Sequence, residues 1–133
     1  MKKQICFALA CLVVVGFAVL PTLQAQMPPS NITYEAPEIM PRLGPSHFSH
    51  DSHYAHDCMT CHHMWDGFSE IKSCSAEGCH DQRGTMKMEG STIYYAFHKK
   101  SSQASCLGCH MQLKKAGEPT GPIGCTTCHE KQD

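Results

Sequence analysis

Eight cysteines between residues 58 and 128 fall into four close pairs, and a histidine follows the second cysteine of every pair. The runs are Cys58-Met-Thr-Cys61-His62, Cys74-Ser-Ala-Glu-Gly-Cys79-His80, Cys106-Leu-Gly-Cys109-His110 and Cys125-Thr-Thr-Cys128-His129. Two thiols at such spacing can add to the two vinyl groups of one porphyrin, and the adjoining imidazole then lies under the iron; this is the haem c attachment pattern. Two intervening residues let a single helical turn present both sulfurs. The four between Cys74 and Cys79 require a small bulge, which Gly78 permits. Zinc also takes Cys-x-x-Cys pairs, but it would need two pairs per ion and leaves the four histidines unexplained. Disulfides suit an even cysteine count in an exported chain, yet not this spacing. The residues point to four covalently bound haem c groups, attached through Cys58, Cys61, Cys74, Cys79, Cys106, Cys109, Cys125 and Cys128, with His62, His80, His110 and His129 as proximal iron ligands.

Each iron has a second face. Outside the motifs stand His47, His50, His53, His56, His63 and His98, two more than four irons need. Met59, Met64, Met86, Met88 and Met111 are the rival ligands, and methionine would raise the potential, whereas two imidazoles give low-potential, low-spin iron. An iron closed on both sides leaves no position for a small substrate. His50 and His53 are three apart and share one face of a helical turn, so they can reach two haems lying side by side. His63 adjoins His62 and points away from it, so as a ligand it would serve a neighbouring haem.

Stepping outward, the chain has few elements to position these groups. Residues 1–25 read as a secretory signal: Lys2 and Lys3, an apolar run of 16 residues from Ile5 to Leu20, and Leu23-Gln24-Ala25 before the expected cleavage. The run is short of the roughly 20 residues that span a bilayer. Cys6 and Cys11 leave with it. Of 133 residues, 108 then remain, poor in aliphatic side chains and rich in Gly, Pro, Ser, Cys and His, so the polypeptide alone can bury little apolar surface against its chain entropy. Residues 26–46, with five prolines, read as an extended arm whose Ile32-Thr33-Tyr34 is the one short strand. Residues 47–133 form the haem-bearing domain, without a regular repeat period. Ser91 to Lys100 suits a short helix, and another runs through the third motif to Lys115 and stops at Gly117. A globule of this size has a radius of gyration of roughly 13 Å, so four macrocycles within it are close neighbours.

The pattern resembles the tetrahaem class III cytochromes c, the c-three type of anaerobic sulfate-reducing bacteria. Phe48-Ser-His50-Asp-Ser-His53 followed by Cys58-x-x-Cys61-His62-His63 is similar to that family's opening, Cys74-x4-Cys79-His80-Asp81 to its second site, and Tyr94-Tyr95-Ala-Phe-His98 to the segment bearing its last distal ligand. The likeness covers about residues 48–129. It implies His50 opposite His62, His63 opposite His80, His53 opposite His110 and His98 opposite His129. It implies a fold that is mostly coil with a few short α-helices and a minimal N-terminal β-sheet, wrapped around four haems. Phe48 would lie between haems, and Trp65, Tyr94, Tyr95 and Phe97 against their faces; ordinary core packing explains aromatics there equally well. His47 and His56 have no counterpart as ligands and are assigned surface or hydrogen-bonding roles.

Two features depart from the common members: the last motif has two spacer residues rather than four, and lysine is sparse. Residues 26–83 hold three basic and eight acidic side chains, residues 84–133 six lysines and four acids, a net of −3 after the signal. No basic patch dominates, which speaks against nucleic acid as a partner. The balance resembles the acidic, type II branch, with Lys99, Lys100, Lys114, Lys115 and Lys131 as a modest patch near the fourth haem. The implied function is a periplasmic electron carrier, not an enzyme, passing electrons between hydrogenase or another c-type cytochrome and a membrane redox complex in sulfate respiration. Two alternatives stand beside it: an obligate haem subunit of a membrane complex, and a multihaem reductase with one open iron.

Overall fold

The computed structural model describes residues 27–36, 38–39 and 42–132. The expected signal, its cleavage after Ala25, Cys6 and Cys11 lie outside these residues. Strand β1 (Asn31–Tyr34) pairs antiparallel with β2 (Leu43–Ser49), placing Ile32 opposite Phe48 and Thr33 opposite His47. A third strand, β3 (His129–Lys131), completes the order β1-β2-β3. The sheet is small, as expected, and its third strand joins both ends of the described chain. The reason is long-range pairing: Ser46 sits opposite His129 and Leu43 opposite Lys131. Between those two pairs the register shifts, where Pro45 has no N–H to give a ladder.

Two of the helices are single turns that coincide with a Cys-x-x-Cys pair: α1 (Cys58–Cys61) and α4 (Cys125–Cys128). Asp57 caps α1 by accepting from the Met59 N–H at 2.7 Å. Helix α2 (Ile93–His98) starts at Thr92, whose buried hydroxyl accepts from the Tyr95 N–H and donates to the Lys87 and Glu89 carbonyls. Helix α3 (Cys106–Ala116) starts at Ser105 and stops at Gly117, which takes the left-handed φ of 77° that a helix-ending glycine supplies. Both helices fall where the sequence predicts them. Residues 62–92 between α1 and α2 hold turns and one isolated bridge, Gln82 to Thr92.

Among the described residues no apolar side chain is buried; Thr92 and Ser105 are the buried polar ones. The described residues thus form short elements without an aliphatic core of their own. None of its described helices is long and apolar enough to cross a membrane.

Candidate functional site

The second cysteine pair shows how local geometry serves the motif. The Ser73–His80 segment is a run of turns in which the Ala76 N–H donates to Ser73, Cys79 to Ala76 and His80 to Cys74. Gly78 takes φ +78° there, and its N–H donates to the Asp81 carboxylate at 2.9 Å, so the bulge demanded by the wider spacing sits at the glycine. At the third pair the spacer glycine does different work. A Cβ on Gly108 would run into the Lys99 and Ser102 carbonyls, and the Ser105 hydroxyl donates to Lys99 at 2.6 Å while accepting from the Gly108 N–H. That seam ties the third pair to the segment carrying His98.

None of these eight cysteines is joined to another, and several feel one another. Burial pushes Cys106 up to about 11, with Cys61 and Cys74 adding charge repulsion. Cys61 and Cys74 are raised mainly by burial as well, Cys61 also by Cys109 and Cys74. Three of the cysteine-pair segments therefore converge. Tyr34, from β1, lies in the same place: burial, then Cys74, Cys106 and Cys61, push its phenol up to about 12. Its ring contacts Phe97 at 4.7 Å. Nothing in the sequence reading singled out Tyr34 beyond its strand.

The histidines come together in couples. His53 and His110 have ring centroids 6.1 Å apart at 21°, His63 and His80 6.1 Å at 49°, His98 and His129 6.2 Å at 5°. The fourth implied couple is linked through charge: burial lowers His62 below its ordinary value and His50 lowers it further. His98 is likewise lowered by burial first, with His129 contributing. Two imidazoles on opposite faces of one metal are separated by two metal–nitrogen bonds of about 2 Å each plus the half-widths of both rings, about 6 Å in all. Tyr94 stacks closer on His98, at 4.2 Å, and Tyr95 stands 6.2 Å from His80.

Ring hydrogen bonding points the same way. The Nδ1 of His50 bonds the Pro29 carbonyl at 2.6 Å, that of His53 the Ser49 carbonyl at 2.7 Å, that of His98 the Tyr94 carbonyl at 2.9 Å, that of His110 the Pro122 carbonyl at 2.8 Å and that of His129 the Gly44 carbonyl at 3.1 Å. His80 meets the Gly90 carbonyl in the same manner. A carbonyl can only accept, so each of these Nδ1 atoms donates, and in a neutral ring Nε2 keeps its lone pair for a metal. His47 is different: its Nδ1 bonds the Thr33 hydroxyl at 3.1 Å and its Nε2 the Glu130 carboxylate at 2.9 Å, which leaves neither nitrogen free. His56 is exposed, with its ring 6.4 Å from that of His53.

The residues present fit haem. Imidazole couples stand at a metal-bridging distance, each expected couple joins residues from different motifs or from a motif and a separate segment, and the cysteine pairs are free to form thioethers. Zinc fits less well, since among the described residues no three His, Cys, Asp or Glu side chains converge as one ligand set. Phe48 lies against both His50 and His53, with centroids at 4.8 and 4.6 Å. Trp65 anchors its own loop by donating to the Ser69 carbonyl. Sequence reasoning missed the carbonyls that orient the rings, because any residue supplies one. It also missed Gly121, where a Cβ would press into the His110 ring.

Comparison with known proteins places this arrangement. A sequence profile of the Class III cytochrome C family matches residues 28–129. Cytochrome c3 of Maridesulfovibrio salexigens is 52% identical over 89 residues, covering 66% of this chain and 80% of that protein. Cytochrome c3 of Desulfovibrio desulfuricans is 47% identical over 87 residues, covering 65% and 79%. Among solved structures, the di-tetraheme cytochrome c3 from Desulfovibrio gigas superposes with a TM-score of 0.66 at 38% identity, over 77% of this chain and 97% of that one.

Proposed function

Because the chain belongs to the class III cytochrome c family and is a multihaem electron-transfer cytochrome with covalently bound haem c, we propose that its four cysteine pairs each hold one haem and that eight histidines close the irons from both faces. The couples are His50 with His62, His63 with His80, His53 with His110, and His98 with His129. The observation that carries this reading is the spacing of 6.1 to 6.2 Å in three of them. When bound, the haem irons supply one-electron chemistry by alternating between ferric and ferrous states.

The polypeptide's part is to hold, orient and tune. Carbonyl oxygens at Nδ1 fix the ring planes and make each imidazole a stronger donor, which favours the ferric state and a low potential. A second imidazole on every iron excludes small substrates, so the protein is a carrier. Phe48 packs against the ligands of two sites, His50 and His53, and Tyr34 stands beside Cys61, Cys74 and Cys106. The ligands come from different stretches of chain, so haem attachment and folding support one another in place of an apolar core.

The carrier works in the periplasm, exchanging electrons with redox proteins such as a hydrogenase, another c-type cytochrome or a membrane redox complex, and belongs to the acidic branch of its family. Charge supports steering by orientation: exposed Asp51, Asp57, Asp66, Glu70, Glu77 and Asp81 lie on the stretch around the first two sites, exposed Lys100, Lys114, Lys115 and Lys131 around the last two. Complementary patches speed encounter and are screened by salt. Stopped-flow reduction by a reduced partner cytochrome should slow as ionic strength rises; a rate indifferent to salt contradicts the steering. Carbon monoxide added to the native reduced protein should not bind stoichiometrically. Near-stoichiometric binding would reveal an open iron and turn the reading toward a reductase.

A further inference from the structure

The proposed ligand His129 differs from the other three proximal histidines. It ends its motif by entering a strand, with φ −100° and ψ 138°, and its ring is oriented by a carbonyl from the far end of the chain, that of Gly44 in β2. The orientation of this imidazole therefore depends on how β3 sits against β2. Backbone pairing specifies that register weakly: β3 has three residues, the ladder shifts between Leu43 and Ser46, and Gln132 reaches the Arg42 carbonyl only at 3.4 Å. A slip of one residue would turn every side chain of β3 to the opposite face.

Two contacts resist that slip. Gly44 is buried, and a Cβ there would stand 3.2 Å from both the Glu130 Cβ and its carbonyl oxygen, so the strands approach closely at this point. Next to it, His47 spans the sheet: one ring nitrogen bonds Thr33 on β1 and the other bonds Glu130 on β3. We infer that Thr33, His47 and Glu130 form a three-strand clamp that sets the register of β3 and so positions the His129 imidazole on the Gly44 carbonyl. His47 is a positioning residue for the fourth haem site. This rests on the reading of His129 as an iron ligand and explains the one ring in the sheet that has no nitrogen to give to a metal.

Both side chains of the pair are more than half exposed, at 57% and 60%. Exposed polar and charged pairs contribute little to global stability, so the effect of breaking this one is local. Loss of the clamp lets the Nδ1 hydrogen bond lengthen, weakens the donor and shifts the potential of that site upward.

The test uses the mature holoprotein, with haems counted by mass and each followed in a redox titration monitored by electron paramagnetic resonance, the haems being assigned by nuclear magnetic resonance. His47→Leu should retain four haems and move the potential and resonance line of the His98/His129 haem alone, upward in potential, while the unfolding midpoint stays close to wild type. Glu130→Ala should reproduce the shift, and His47→Gln, which can still donate to Glu130, should reverse most of it. Glu130→Ala carries the same prediction should His47→Leu fail to mature. Four haems with all lines unmoved in both variants, or with all four moved together, would overturn the clamp while leaving the ligand reading intact. A wild-type mass with fewer than four haems would overturn both.

Discussion

The second and third attachment sites present the same pair of thiols by opposite means. The third lies on an eleven-residue helix, capped by Ser105 and Gly117 and locked to the preceding segment through Gly108. The second lies on consecutive turns, with Gly78 in a left-handed conformation and Asp81 accepting from its N–H. A Cys-x-x-Cys spacing matches a helical turn, so the chain's own caps and packing orient these two cysteines. The wider spacing breaks the helix, and under the proposed attachment the order of that segment would lean on the bonds that Cys74, Cys79 and His80 make to their haem.

Removing the bonds is the strongest way to separate the two. Cys74 and Cys79 changed together to serine should lower the holoprotein mass by one haem and strip amide-exchange protection from residues 73–92. The matching change at Cys106 and Cys109 should also cost one haem, yet leave protected amides in residues 109–116. Equal loss of protection at both sites would show that the helix has no independent order.

Glycine substitutions sharpen the contrast at lower amplitude. Gly108→Ala drives a methyl into the Lys99 and Ser102 carbonyls and should destabilise by about 1–3 kcal/mol, as overpacking does. At Gly78 an added methyl meets open space, so only the left-handed backbone resists it, at about 1–2 kcal/mol. Denaturant unfolding of the two variants checks the order, and a larger loss at Gly78 would contradict it.

Much of the site was legible in the sequence because its chemistry is local. The four motifs, a short helix within Ser91 to Lys100 and the helix ending at Gly117 follow from neighbouring residues. The likeness to a known family supplied the histidine couples, and the structure brings three of them to a common spacing. What stayed hidden depends on distant parts of the chain. Nothing near His129 announces that it will pair with Ser46, nor that the Gly44 carbonyl will accept from its Nδ1–H. The short strand at Ile32-Thr33-Tyr34 was expected, but not its partner, Ser46–Ser49. That fold places Tyr34 among three cysteines, a position its own neighbours do not suggest.

Tyr34 gives the mildest test of this convergence. Burial is the larger cause of its raised value of about 12, so it outlasts conversion of the thiols to thioethers. Below the ordinary tyrosine value of about 10 both folded and unfolded chains keep the phenol proton. Between there and the folded value the unfolded chain releases it first, so stability falls as pH rises through that window. Ultraviolet titration should show one tyrosine ionising last, and Tyr34→Phe should remove that step; four tyrosines titrating together would place Tyr34 in water.

The central claim is that paired imidazoles close every iron, and electron paramagnetic resonance of the fully oxidised holoprotein examines it directly. The account predicts low-spin signals integrating to four haems, the nearly parallel His98 and His129 rings giving a more rhombic line than the tilted His63 and His80. A high-spin signal amounting to one haem, or the optical signature of methionine–iron ligation at any site, would contradict it.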